Sequence, residues 1–473
     1  MPARYTLESR SRLKRATALL WDALRGRGGS PTEGPLTTAI LLLAIPMVLE
    51  MVMESIFAVV DIFFVSRLGA DAVAAVGITE SLMTMVYTLA MGLSIGVTAT
   101  VARRIGEGDR EAASRATAQG MVLGGLLALA LGVLGAWKAP DLLRLMGATP
   151  SVVDAGQGYA RVLLGTNGVI MLLFLLNAAF RGAGDAAIAM RVLWLANGIN
   201  LILDPALIFG LGPFPELGVT GAAVATSIGR GAAVCVQIVT LFRLSDRLRL
   251  GLRHFRPRVD VMARLVRLSA TGTFQIFVGT ASWIGLVRVL AGFGPEAVAG
   301  YTLAIRVVMF ALLPAWGLSN AAATMVGQNM GAGLPERAER SVWQACWMNM
   351  AFLGTVGLFF VVFARPLIGL FGVDAVTAGF ARDALRIVSA GFLFYAFGMT
   401  LTQAFNGAGD AWTPTWLNVL CFWMWEIPLA WGLAFRGELG AHGVFVAIAV
   451  AYATLAVFAA VLFRRGRWKT VAL

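Results

Sequence analysis

The stretch NAAFRGAGDAA (Asn177–Ala187) returns further along the chain as QAFNGAGDAWTPT (Gln403–Thr415), with Asp185 and Asp410 separated by 225 positions. The same offset relates Gly92-Leu93-Ser94 to Gly317-Leu318-Ser319, Ala72-Val73-Ala74 to Ala297-Val298-Ala299, Gly69 to Gly294 and Gly106 to Gly331. A gapless register held over so long a stretch means that one unit is written twice. Further on, Glu216-Leu217-Gly218 matches Glu438-Leu439-Gly440 at an offset of 222, so the second copy has lost three residues.

Composition tells what the unit is made of. Of the 473 residues 58% are hydrophobic and only 14% charged, and the mean hydropathy is +0.78, which is far too apolar for a water-soluble domain of this length. A membrane-crossing helix needs roughly 20 mostly apolar residues, and twelve such segments fit. The predicted spans are 36–64, 72–102, 117–137, 157–180, 187–210 and 218–242, then 261–291, 297–327, 341–363, 384–405, 413–435 and 442–463. The expected fold is therefore all-α and polytopic, with twelve transmembrane helices in two parallel-repeat lobes of six. Six spans per copy is even, so both copies cross in the same sense. The lobes are expected at 36–242 and 261–463, joined by a basic linker at 243–260, with basic tails at 1–35 and 464–473. Within the first tail, Leu13, Leu20 and Leu24 suit a short helix lying on a membrane surface. Small residues, among them Gly120, Gly124, Gly125 and Gly132, are expected where helices pack closely.

The net charge of +12 would suggest nucleic acid in a soluble protein. Here most Lys and Arg gather on the side of the two termini, in blocks at 4–27, 243–267 and 464–469, which is the positive-inside pattern. Both termini are expected in the cytoplasm, the chain in the plasma (inner) membrane, and anionic lipid rather than nucleic acid beside the basic blocks. No cleavable leader is visible before the first apolar run near Leu36. Cys235, Cys346 and Cys421 have no disulfide or zinc spacing and read as packing residues. No Gly-rich loop ends in Lys-Ser or Lys-Thr, and His254 and His442 form no His-Glu-x-x-His, so a nucleotide engine or zinc protease is excluded. No enzymatic activity and no cofactor are expected.

What remains is charge inside the membrane, which is expensive and so points to function. Glu50, Glu54, Phe57 and Asp61 recur at i, i+4, i+7 and i+11 on one face of the first span. Three ionised carboxylates on one stripe repel each other, so at least one is expected to be protonated or to hold a cation. Pro46 should kink this helix. In the fifth span NLILDP places Asn200 and Asp204 one turn apart before Pro205; with Asp61 they could hold a proton or Na⁺, with Thr226 and Asn197 as further oxygens. Asp61 at the far interface, Glu50 bonded to a neighbouring helix or Asp204 as a local cap would account for the same residues structurally. In the second lobe Glu426 is the main intramembrane acid, and Arg230, Arg288 and Arg306 are among the arginines that fall within the predicted spans. Trp412, Trp416, Trp423, Trp425 and Trp431 load the eleventh span with aromatic rings that either stack on a cationic compound or anchor the helix at the interface.

The repeated GAGD stretches, together with VVDIFFVSRLGADAVAAVG (Val59–Gly77), resemble the multidrug and toxic compound extrusion (MATE) family over nearly the whole chain from Leu36 to Phe463. The resemblance implies two six-helix lobes with a cavity that opens alternately to each side. It further implies efflux of small cationic or amphiphilic compounds in exchange for H⁺ or Na⁺, by a monomer. Asp61 matches the family's first-helix carboxylate, Asn200 and Asp204 its Asn-x-x-x-Asp-Pro, Pro46 its first-helix proline, and Glu54 a polar position a turn or two before Asp61. Gly279 stands where the NorM-like branch has a glutamate and the tenth span lacks an acid, which makes the DinF-like branch the better match. The rival readings are a lipid-linked precursor flippase of the same superfamily, which would want a cationic cavity, and a membrane binding protein without transport.

Overall fold

A computed structural model describes residues 14, 17–27, 29–245 and 247–471. Helices α1 (Leu36–Ser66), α2 (Ala70–Gly106) and α3 (Arg110–Leu145) are followed by α4, a bent pair Pro150–Gly165 and Asn167–Gly182 meeting at 43°. Next come α5 (Ala186–Phe209) and α6 (Val219–Leu244). The second set is α7 (Val259–Leu290), α8 (Pro295–Gly331), α9 (Pro335–Gly369), α10 as a second bent pair, Ala375–Ala390 and Phe392–Ala408 at 57°, α11 (Trp412–Arg436) and α12 (Ala441–Arg464). Counting each bent pair as one crossing, the described residues hold twelve helical spans. The chain is a multi-pass membrane protein with two six-helix lobes.

Three features depart from the predicted spans. Many helices run several residues past the apolar windows, because polar first and last turns such as Arg110–Glu111 and Arg103–Arg104 extend into the aqueous layer. The fourth and tenth spans are broken rather than straight. At Thr166 the hydroxyl bonds back to the Val162 carbonyl (2.7 Å) and shares a hydrogen bond with Ser227 (2.7 Å), and this non-helical residue turns the chain. Their opening turns carry polar residues such as Asp154 and Asp383, so the predicted windows begin several residues after the helices do. The eleventh span is α-helical only in part, with π-helical stretches Val419–Glu426 and Gly432–Arg436.

Each lobe has its own apolar core. One extends from Val65 to Leu265, and others unite α8, α9, α10 and α12. A fourth cluster crosses between the lobes, joining Ile40, Leu43, Ala44 and Met47 of α1 to Leu318, Ala321, Ala322 and Met325 of α8. The repeated glycines explain that crossing. Gly317 presses against the Met47 backbone beside Pro46, and Gly92, its counterpart, presses against Thr273 of α7. Gly106 lies on the backbone of Gln328 while Gly331 lies on that of Arg103, again 225 positions apart in both partners. None of these sites has room for a Cβ, so α2 and α8 seal the lobes together at the end that carries both termini. Further along the same helices Met85 and Phe310, also an equivalent pair, are exposed.

Packing glycines follow the expectation at Gly120, Gly124 and Gly132 but not at Gly125, which faces open space. Cys346 and Cys421 are buried, whereas Cys235 lies on the surface. In the tail, Leu13 lies outside the described residues; residues 17–25 are helical, with Leu20 exposed and Ala23 buried. Arg337 of α9 ties the end of that tail down by donating to the carbonyls of Glu33 (2.8 Å) and Gly34 (2.9 Å).

Candidate functional site

Between the lobes is a cavity of about 320 Å³. Its wall combines Glu50, Glu54, Arg181 and Arg230 with apolar and aromatic groups, including Met51, Met91, Phe174 and Trp316. Both lobes contribute at equivalent positions: Glu50 and Gln275, Met91 and Trp316, Ile95 and Asn320, Thr98 and Ala323, Arg181 and Asn406.

The first-helix stripe does not hold three unpaired carboxylates. Glu50, 1% exposed, accepts at Oε1 from Arg181 (3.0 Å) and from the Asn177 amide (3.0 Å), which Gln237 in turn supports at 2.6 Å. Glu54 accepts from Arg230 (3.2 Å), whose other nitrogen donates to the Tyr87 hydroxyl (3.3 Å) and whose guanidinium lies 5.6 Å from the Phe57 ring centre. Guanidinium groups from α4 and α6 thus stand beside these two acids. Arg181 stood one residue beyond the predicted fourth span and was missed as an intramembrane charge; it lies within α4 because that helix runs on to Gly182. Each glutamate keeps one buried oxygen, Oε2, without a hydrogen-bond partner among the described residues.

Asp61, Asn200 and Asp204 lie apart from the cavity wall, buried within the first lobe. Asn200 donates to Asp204 Oδ1 (3.2 Å) and to Thr226 Oγ1 (3.1 Å). Among the described residues, Asp204 Oδ2 and Asn200 Oδ1 are buried acceptors with no hydrogen-bond partner, and no Lys or Arg pairs with Asp204. Asp61 lies within electrostatic reach of Asp204, of Glu80 on α2 and of Arg230. Glu80 is the member that sequence reasoning passed over, although a carboxylate inside a predicted span was signal enough. Asn197 is turned elsewhere, donating to the Met53 carbonyl at 3.5 Å. No cluster of three or more His, Cys, Asp or Glu side chains able to hold a metal occurs among the described residues.

The second lobe differs. Glu426 is buried but does not line the cavity. The α11 tryptophans point away from the cavity: Trp412, Trp416, Trp423, Trp425 and Trp431 are all exposed, with Trp423 bonded to the Val278 carbonyl of α7. The aromatic rings that line the cavity are instead Tyr87, Phe174 and Trp316.

Two lobes related by an internal repeat, sealed at one end around a mixed polar and apolar cavity with buried carboxylates to one side, define a secondary-transporter architecture. Comparison with known proteins agrees: the MatE family model matches residues 46–206 and 274–431. The chain belongs to this family, the multidrug and toxic compound extrusion transporters. It is 28% identical over 435 residues to the probable multidrug resistance protein NorM of Thermotoga maritima, covering 91% of this chain and 92% of that protein. It is 26% identical to the probable multidrug resistance protein YoeA of Bacillus subtilis, covering 87% and 90%. Among solved structures, a MOP superfamily transporter from Pyrococcus furiosus superposes with a TM-score of 0.86 at 27% identity, over 95% of this chain and 98% of that one.

Proposed function

We propose that the protein is a secondary active antiporter that exports cationic or amphiphilic compounds in exchange for H⁺ or Na⁺, acting as a monomer by alternating access. The observation that carries this reading is the division of the first-lobe acids into two sets. Glu50 and Glu54 line the cavity and are held by arginines, and they supply the negative charge that a cationic substrate would meet there. Among the described residues, Asp204 and Asn200 keep unpartnered acceptors and no guanidinium pairs with them. A proton on Asp204 would supply a donor where only acceptors stand; Na⁺ would take oxygens from Asp204, Asn200 and Asp61. Either ion relieves the repulsion between Asp61 and Asp204, and so changes the relative stability of the states that the site favours.

The lobes at 36–242 and 261–463 move as units about the linker at 243–260. With the termini in the cytoplasm of a cell bounded by this plasma membrane, the glycine-lined seal closes the cytoplasmic end and the conformation is outward-facing. Pro46, next to the Gly317 contact, is the place where α1 bends between states. Gly279, which faces Asn418 rather than any acid, supports the DinF-like branch with coupling confined to the first lobe. Both cavity arginines are engaged by glutamates, which disfavours a phosphate-headed flippase substrate.

The deciding experiment is efflux of a fluorescent cationic dye from proteoliposomes under a separately imposed pH or sodium gradient, with wild type and Asp61→Asn. Efflux driven by one gradient and lost in the variant supports the coupling site and names the ion. No wild-type efflux under either gradient would refute the antiporter reading, and undiminished transport in Asp61→Asn would remove that residue from the site.

A further inference from the structure

Each lobe grips the segment that leads into the first helix of the other. Gln119 of α3, fully buried, donates to the carbonyls of His254 (2.7 Å) and Arg256 (3.0 Å) and accepts from the Arg258 amide (3.2 Å), which fixes the chain just before α7. Its counterpart 225 positions on, Gln344 of α9, donates to Thr37 Oγ1 at the start of α1. Two turns earlier on the same face of α9, Arg337 holds the residues just before α1.

The tail's own turn shapes the grip at α9. The Ser30 carbonyl accepts from the Glu33 amide (3.0 Å) around Pro31 and Thr32, and Gly34 follows at φ 67°, a conformation that suits glycine. This brings the carbonyls of Pro31, Glu33 and Gly34 to Nη2 of Arg337, at 3.4, 2.8 and 2.9 Å. Bonds from a charged donor are stronger than neutral ones. The same stretch also touches the first lobe. Pro31 is buried, its Cγ 3.6 Å from where a Cβ on Gly184 would stand, in the corner between α4 and α5. Ahead of it Ala23 is buried, and Gly26 lies so close to α5 that an added Cβ would stand 3.3 Å from that of Ala187.

The two gripped segments differ in one respect. The connection at 243–260 joins the first lobe to α7 covalently, whereas the tail reaches α9 by contacts alone, and contacts can be released. The seam that the tail spans is at the end that carries both termini, where Gly106 and Gly331 press on the opposite lobe. Parting the lobes there draws α9 away from the Gly184 corner, and the tail can follow only one of them. We propose that residues 29–37 are a strap that holds this end shut, and that the Arg337 clasp releases when the lobes part there. The strap presupposes the alternating access proposed above, which it regulates.

The test uses the full-length protein in nanodiscs, with the native cysteines replaced and spin labels on cysteines introduced at Leu244 and Arg465, both exposed, at the ends of α6 and α12. Double electron–electron resonance then gives the ratio of molecules with the labels apart to molecules with them close. Arg337→Gln should raise that ratio about tenfold, while Arg340→Gln, an exposed arginine further along α9, should leave it as in wild type. Pro31→Ser removes the first-lobe seat and should act like Arg337→Gln. The double variant should exceed either single one by no more than about twofold, because a strap cut at one end gains little from a second cut. Additive effects would mean two independent packing contacts and no strap, as would a rise of equal size in Arg340→Gln. Gly331→Leu, which breaks the seal itself, separates the two readings. If it parts the labels and Arg337→Gln does not, the strap is refuted while alternating access stands; if neither parts them, both readings fall.

Discussion

The two lobes share a fold and differ in charge. At the cavity, Glu50 and Arg181 of the first lobe face Gln275 and Asn406 at the equivalent positions of the second. Where Ser94 bonds to the Phe174 carbonyl (3.2 Å), Ser319 joins a neutral network with Asn349 and Thr400. The backbone contacts that seal the lobes are, by contrast, reciprocal: Gly106 on Gln328 and Gly331 on Arg103. Packing obeys the repeat and electrostatics departs from it. A symmetric scaffold supplies two alternative closures, and an ion sensed in one lobe can bias them only if the charge is asymmetric.

The largest effect should come from breaking that asymmetry at its most buried pair. Arg181→Met strands the Glu50 carboxylate without its guanidinium and should destabilise the protein by about 3–5 kcal/mol, whereas Asn406→Ala, its second-lobe equivalent, should lose about 1 kcal/mol. The double variant Arg181→Met/Glu50→Gln should recover most of the loss, and chemical or thermal unfolding in detergent reads all three variants against wild type. Equal losses at positions 181 and 406 would mean that the charge is incidental.

The seal is the opposite test, since it should respond symmetrically. Gly106→Leu and Gly331→Leu each force a side chain into the neighbouring backbone, at a cost of about 1–3 kcal/mol. Both should shift the molecule towards opening at the end that carries the termini. Labelling of a cysteine introduced at Ala323 on the cavity wall, in a background lacking the native thiols, with reagent applied from the side that carries the termini, should rise to a similar extent in both. A rise in only one variant would show that the repeat does not extend to the moving contacts.

Coupling separates the lobes again. Asp204→Asn should reduce gradient-driven dye efflux by about tenfold, equivalent to about 1.4 kcal/mol. Glu426→Gln, at the matching position under the 222-residue offset, should leave it within about twofold, because Glu426 touches neither the cavity nor the Asp61 group. The reverse ranking would move the coupling site to the second lobe.

Much of this was readable in the chain before any coordinates. The glycine repeats implied two like lobes, and the intramembrane acids marked where charge would matter. Hydropathy could not see the breaks at Thr166 and Gly391, because a bent span keeps the composition of a straight one. Nor could spacing along α1 reveal that Glu50 and Glu54 are neutralised, since Arg181 and Arg230 arrive from helices more than a hundred residues away. The tryptophans of α11 illustrate the converse: an aromatic load is visible in sequence, but which way it faces depends on how a partly π-helical segment packs.

The smallest predicted difference sits at the start of the bent pairs, at positions again 225 apart. Asp374 caps its helix by accepting from the amides of Val376 and Thr377, both at 3.0 Å, while Thr149 makes no such bond at the start of α4. These amide bonds favour the ionised form and hold the Asp374 carboxyl below its ordinary value. A group whose folded value is depressed contributes stability that is complete above the unfolded value of about 3.9 and is lost as pH falls through the folded one. Asp374→Ala should therefore lower the unfolding temperature slightly at neutral pH, and less as the medium is acidified below that range, whereas Thr149→Ala should have almost no effect at either pH. A pH-independent deficit in Asp374→Ala would mean that the residue acts through packing and that the cap adds nothing the first lobe lacks.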